Sequence, residues 1–205
     1  MIKLYSWPGS SGTRIAWALE ELGLPYEYVA LDAKKGEHRA ADYLKVNPHG
    51  KVPALIDDDE RLFESGAILL HLGNRYGVEK KLWPAAKGQA RADAVCWTVW
   101  AMTELGPYML QYLYHGLDTP ISFKPADRSK AAAEYSHSQL DRALAALEAR
   151  LEGREYVLGG FSLADVAVAS WLTLGTAFGV SLERYPRVAA WLKRCLDRPA
   201  FKRAR

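Results

Sequence analysis

The sequence predicts an α/β domain followed by an all-α domain, and three features of it say so. In the first 77 residues the apolar pattern switches between a period of two and a period of three to four; from residue 88 only the helical period survives. Between them "GVEKKLWPAAKG" (77–88) mixes charge, proline and glycine as a linker does. The expected layout is therefore a first domain over 1–77, a linker over 78–87 and a helical domain over 88–205, and 205 residues suffice for two modest cores.

The elements follow in order. "IKLYS" (2–6) alternates as a strand, and residues 13–22 form a helix with Ile15, Ala18, Leu19 and Leu22 on one stripe. Gly23 closes that helix, since glycine takes a positive φ freely. "YEYVAL" (26–31) is the next strand, and 33–46 an irregular helical connection. "ALID" and "RLF" flank the turn "DDDE" as a hairpin, and a helix runs over 65–76 with Gly77 as its stop. The order βαβ then ββα implies a small sheet with parallel and antiparallel pairs, covered by helices.

In the second half Ala94, Trp97, Ala101, Leu105, Tyr108 and Tyr112 mark a long helix that Pro107 should bend. Leu140, Leu144, Leu147 and Leu151 mark another, ended by Gly153. "FSLADVAVASWL" is a third, and "YPRVAAWLKRCL" a fourth that Pro199 should end.

Composition narrows the function classes. A net charge of +3 with scattered basic residues gives no nucleic-acid footprint, and the closing "KRAR" reads as a solvated end. The two cysteines, Cys96 and Cys195, are far apart, with no zinc spacing and no disulfide framework, so no metal is expected. The most apolar stretch, 166–180, is shorter than the ~20 residues of a bilayer span. No basic segment followed by an apolar run opens the chain, and the expected location is cytoplasmic, without membrane attachment.

Four stretches could carry chemistry. In "SWPGSSGTR" (6–14) Ser11 can cap the helix, or Ser10 and Ser11 can face a pocket where a helix N-terminus favours an anion. In "NPHGKVPALID" (47–57) Pro53 enters a strand, where it is either an ordinary trans edge proline or a cis one that turns the N–H and C=O of Val52 outward to an extended ligand. Glu64 and Ser65 fall where strand gives way to helix; Ser65 is a natural N-cap, and the pair could instead meet a ligand's ammonium and carboxylate. Ser162 and Asp165 have the spacing of a reciprocal cap, a structural device. Aromatic residues crowd the helical half, and most should be core.

Together and in this order, "PGSSGTRIAWALEELGLPYE", "NPHGKVPALID", "FESGAILLHL", "FSLADV" and "RPAFKRA" resemble the cytosolic glutathione transferases over nearly the whole chain. The resemblance implies a thioredoxin-like N-terminal domain that binds glutathione, a helical domain that shapes a hydrophobic electrophile site, and a homodimer. In serine-type members, similar to the theta and delta classes, a serine precedes the helical arginine by four positions, as Ser10 precedes Arg14. Beta-type bacterial members carry a cysteine one residue later, where this chain has Ser11. Ser10 is the first candidate for the catalytic hydroxyl, Ser11 the second, and Tyr5 keeps a tyrosine-type alternative open. By the same match Val52 and Pro53 would hold the cysteinyl part of glutathione, Glu64 and Ser65 its γ-glutamyl end, and Lys51, His38 or Arg39 its glycyl carboxylate. Trp100, Tyr108, Tyr112 and Phe123 are candidates for the electrophile site, and His49 has no assigned role. The expected activity is conjugation of glutathione to small hydrophobic electrophiles. Glutathione-dependent disulfide or peroxide reduction, isomerisation and a non-catalytic binding module are the alternatives.

Overall fold

The computed structural model describes residues 1–204. It divides into two compact units, residues 1–91 with 196–205 and residues 92–195. Residues 196–204, which the sequence assigned to the helical half, thus belong to the first unit.

The first unit is built on β1 (Ile2–Ser6), α1 (Thr13–Leu22), β2 (Tyr26–Ala30), the short α2 (Ala41–Leu44), the hairpin β3 (Ala54–Asp57) and β4 (Glu60–Phe63), and α3 (Ser65–Leu72). The strands lie in the order β2-β1-β3-β4. β1 runs parallel to β2, with Leu4 opposite Tyr28, and antiparallel to β3, with Leu4 opposite Leu55. Alternation sends Ile2, Leu4 and Ser6 into the core, where Ile15, Leu19, Ile68 and Leu69 meet them as buried side chains. Gly23 closes α1 at φ 64°, as the sequence implies.

Two local expectations are corrected. The regular helix after β4 stops at Leu72, and Gly73–Gly77 continue it as a wider turn against which Trp83 is buried. Pro199 does more than end a helix: it opens α9 (Pro199–Arg203), because proline's fixed φ suits the first turn. Of the closing "KRAR", Lys202 and Arg203 are exposed as expected and Arg205 lies outside the described residues, but the residues just before it dock. Phe201 is buried with its ring 4.8 Å from that of Trp17, Arg198 grips Glu21 through two hydrogen bonds of 2.6 Å, and Arg203 reaches Glu20 at 2.6 Å.

The second unit contains α4 (Gln89–Trp100), α5 (Gly106–His115), α6 (Lys130–Arg150), α7 (Leu163–Ala177) and α8 (Pro186–Leu196), with the ends of α4 and α8 shading into the first unit. The long first helix expected to bend at Pro107 is interrupted there: Ala101–Leu105 form a wider turn, and the helix restarts with proline in its first turn. The reciprocal cap at α7 is present, with Ser162 and Asp165 as its two members. Asp165 is wholly buried; its Oδ1 accepts from the Val157 N–H at 2.9 Å and the Trp191 indole N–H at 2.8 Å, and its Oδ2 from the N–H and the hydroxyl of Ser162, both at 2.9 Å. Among the described residues no helix is long and apolar enough to cross a membrane.

Candidate active site

The first helix begins without the serine cap that the sequence offers. Gly12 occupies the N-cap position, and Ser11 Oγ instead donates to the Val52 carbonyl at 3.3 Å. It is Ser10 whose oxygen accepts an N–H of the incoming turn, that of Gly12, at 3.1 Å. Ser10 Oγ also lies 2.9 Å from Ser6 Oγ. A Cβ on Gly12 would sit 1.8 Å from Ser6 Oγ, so the close approach of loop and strand needs glycine here. Gly12→Ala should cost about 1–3 kcal/mol through this overlap, read as a lower denaturant midpoint. A midpoint equal to that of the unmodified protein would mean that the loop can move aside.

Facing this turn is the segment 47–53. Asn47 is buried; its Oδ1 accepts the His49 N–H at 3.0 Å, and its Nδ2 donates to the Lys51 carbonyl at 2.7 Å. The Tyr43 hydroxyl donates to the same carbonyl at 2.5 Å. These contacts fix the loop that ends in the Val52–Pro53 bond, which is cis. The Val52 carbonyl accepts from Ser11 Oγ, so one of the two backbone polar groups that a cis proline was expected to offer a ligand is engaged within the protein.

Between the two segments lies a cavity of about 750 Å³. It gathers Ser10, Ser11, His38, Arg39, Lys51 and Val52 of the sequence candidates, and adds Trp7 and His49, the latter left without a role by the sequence. His38 stands edge-on to Trp7, with ring centres 5.7 Å apart, and His49 edge-on to Phe63 at 5.2 Å. Four basic side chains line the cavity, and no acidic one is among its lining residues. With the N-terminus of α1 beside it, whose first turn carries no acidic residue, the field there favours an anion. No cysteine lines it either, so a thiol acting here must arrive with the ligand.

The other candidates fall elsewhere. Pro53 is buried behind the cavity, and Glu64 and Ser65 are outside its lining. Ser65 is the first residue of α3 and not its cap; its hydroxyl accepts from Arg14 Nη1 at 3.2 Å. Burial pulls the Arg14 guanidinium down to about 9, which leaves it cationic at neutral pH. Glu64 occupies the N-cap place at φ 66°, an unfavourable backbone for a residue with a side chain. Tyr5 packs its ring 5.6 Å from that of Tyr43, outside the cavity lining.

The four aromatic candidates of the helical unit each pack on a different ring. Trp100 pairs with Trp97, Tyr108 with Tyr135, and Phe123 with Tyr114, at ring separations of 4.9, 6.0 and 5.1 Å. Tyr112 packs on His137 and lines a separate cavity of about 340 Å³ with Asp141 and Tyr185.

Burial pushes the phenols of Tyr26, Tyr43 and Tyr76 up to about 12 from the ordinary 10.0. The folded chain then holds protons that the unfolded chain releases above pH 10, so stability is full below pH 10 and is lost as pH rises towards 12. Phenolate absorbance followed beside thermal melts should show these three ionising last, with loss of structure. Complete ionisation of all tyrosines near pH 10 in a still-folded chain would contradict this.

The mixed sheet, its first helix opening on a basic cavity, and the separate helical unit define a thioredoxin-like domain joined to an all-helical one. A glutathione S-transferase N-terminal domain model matches residues 1–74, and a C-terminal domain model matches residues 110–199. The disulfide-bond oxidoreductase YfcG of Escherichia coli K12 is 32% identical over 215 residues, covering 100% of this chain and 94% of its own. The glutathione S-transferase GstB of the same strain is 32% identical over 207 residues, covering 99% and 97%. Among solved structures, the glutathione transferase URE2P6 of Phanerochaete chrysosporium, in complex with oxidized glutathione, gives a TM-score of 0.87 at 32% identity, covering 99% of this chain and 94% of its own. The chain belongs to the glutathione S-transferase family.

Proposed function

We propose that this protein binds glutathione in the cavity beside α1, holds its sulfur as a thiolate with the Ser10 hydroxyl, and transfers it to small hydrophobic electrophiles. The observation that carries the reading is the convergence of the Ser10 hydroxyl, the α1 N-terminus and the basic side chains of His38, Arg39 and Lys51 on one cavity. Ser10 is preferred to Ser11 because the Ser11 proton is directed to the Val52 carbonyl, whereas Ser10 accepts from Gly12 and can turn its proton outward. Lys51 and His38 are suited to a ligand carboxylate and Val52 to an extended peptide; Glu64 and Ser65, beyond the cavity lining, would serve the γ-glutamyl end only if the ligand extends past it.

The activation has a physical size. A thiol of pKa ~8.5 is only about 3% thiolate at pH 7, and lowering it by ~2 units makes thiolate about three-quarters of the total. That corresponds to ~2.7 kcal/mol, within reach of one charge-assisted hydrogen bond and a helix N-terminus. The thiolate displaces a leaving group from an electrophilic carbon: the S–C bond forms as the carbon–leaving-group bond breaks, and proximity lowers the barrier further. Dimerisation of the family type, cytoplasmic location and an aromatic acceptor site drawn from Trp100, Tyr108, Tyr112 and Phe123 belong to the same proposal.

A second reading is disulfide reduction, favoured by the similarity to YfcG and by the basic cavity wall, which suits an anionic disulfide better than a neutral aromatic. Here the thiolate attacks one disulfide sulfur and expels the other as thiolate. A second glutathione then resolves the mixed disulfide, so two glutathiones are oxidised and one disulfide reduced. Calorimetry with glutathione, followed by parallel assays with a chlorinated aromatic, hydroxyethyl disulfide and a hydroperoxide, separates the readings. Turnover of the aromatic is expected; turnover confined to the disulfide selects the second reading. No heat of binding at millimolar glutathione leaves a non-catalytic module.

A further inference from the structure

Ser6 ends β1 in the row that faces the core, where Ile2 and Leu4 hold the other two places, and it is 0% exposed. A hydroxyl in that position has lost its water and needs a partner within the protein. Ser10 Oγ stands 2.9 Å away, while the Trp7 carbonyl, at 3.4 Å, lies at the outer limit of bonding. The missing Cβ of Gly12 provides the space in which the two hydroxyls meet.

We propose that Ser6 is a positioning residue for thiol activation, donating to Ser10 Oγ and thereby committing the Ser10 proton to the anion in the cavity. The inference rests on the reading of Ser10 as the donor to the glutathione sulfur. A serine hydroxyl has one proton and two lone pairs. One lone pair of Ser10 accepts from the Gly12 N–H at 3.1 Å. Between Ser6 and Ser10 the bond can run either way, and an anion in the cavity selects the direction. Ser10 then donates outward, and its second lone pair accepts from Ser6. The resulting chain, Ser6 to Ser10 to sulfur, polarises each bond by the one behind it, so Ser10 is a better donor than an isolated serine. Ser6 itself is enclosed and acts only through Ser10.

The test compares Ser6→Ala, Ser10→Ala and the double variant. The ultraviolet thiolate absorbance of bound glutathione is titrated against pH, with affinity measured by calorimetry. Ser6→Ala is expected to raise the bound thiol's pKa by about 0.5–1 unit, lowering turnover about 3- to 10-fold below that pKa with little change in KM for glutathione. In the Ser10→Ala background, removing the Ser6 hydroxyl should change the pKa no further. An equal shift in both backgrounds overturns the proposal, because Ser6 would then act without Ser10. An unchanged pKa in Ser6→Ala beside a shifted one in Ser10→Ala overturns it too. If Ser10→Ala itself leaves the thiol pKa in place while glutathione binds, the Ser10 reading fails and takes the inference with it. Should Ser6→Ala not fold, Ser6→Cys, similar in shape but a weak donor, carries the same expectation.

Discussion

Alanine at position 10 is expected to lower glutathione-dependent turnover about 10- to 100-fold at neutral pH while glutathione still binds. A hydrogen bond to a charged group contributes about 1.5–3 kcal/mol, and 1.36 kcal/mol is one pKa unit or a tenfold rate. Losing the Ser10 proton therefore returns the bound thiol most of the way to its free pKa. The fold is expected to survive, since the change leaves one buried donor, the Gly12 N–H, without its acceptor, at a cost of about 1–3 kcal/mol against a usual stability of about 5–15 kcal/mol. The loss should concentrate in kcat and shrink as pH rises, because at high pH the thiol ionises unaided. A rate loss of the same size at every pH would point to misplacement of the ligand instead. Ser11→Ala, measured beside it, should have the smaller effect, since the Ser11 proton is engaged by Val52. The reverse order would move the activating role to Ser11.

Asp165→Ala is expected to be the most destabilising single change in the helical unit, at about 3–5 kcal/mol. Four donors end on this one carboxylate: the Val157 N–H, the Trp191 indole, and the N–H and hydroxyl of Ser162. Burial pushes the Asp165 carboxyl above the ordinary range, and the four donors oppose it. Removing the side chain leaves those donors in a site without water, and the cost of an orphaned buried donor exceeds the net value of an ordinary hydrogen bond. Trp191, on α8, and Val157, ahead of α7, lose their common anchor together, so the change should loosen the packing of two elements. A denaturant midpoint lowered by less than the equivalent of 1 kcal/mol would show that the unit repacks around the gap.

The legibility of the fold in the sequence varied with the range of the forces that set each part. The bounds of α1, its glycine stop, the hairpin and the α7 cap depend on patterns within a few residues, and those patterns are plain in "TRIAWALEELG" and "FSLAD". The helix after β4 is shorter than its apolar run suggests because Trp83, eleven residues beyond Leu72, packs on glycines of the wider turn. Pro199 misled for a similar reason: proline stops one helix and starts another equally well, and the burial of Phe201 against Trp17 favours the start.

The candidate site divides in the same way. Ser10, Ser11, Lys51 and Val52 could be named from motif order, but Ser6 and Asn47 were missed, although each had a signal: a polar residue on the inward parity of β1, and an Asn opening the Asn-Pro-His-Gly turn. Ser65 looked like a cap and is an acceptor for Arg14, 51 positions earlier in the chain. The sequence alone determined the class of each domain, the order of its elements and the family resemblance, because hydrophobic period and local turn chemistry act over short stretches of chain. Which serine proton is engaged by a backbone carbonyl, and which side chains line one cavity, was decided only by tertiary structure, since a hydroxyl's direction depends on partners that the fold brings from distant segments.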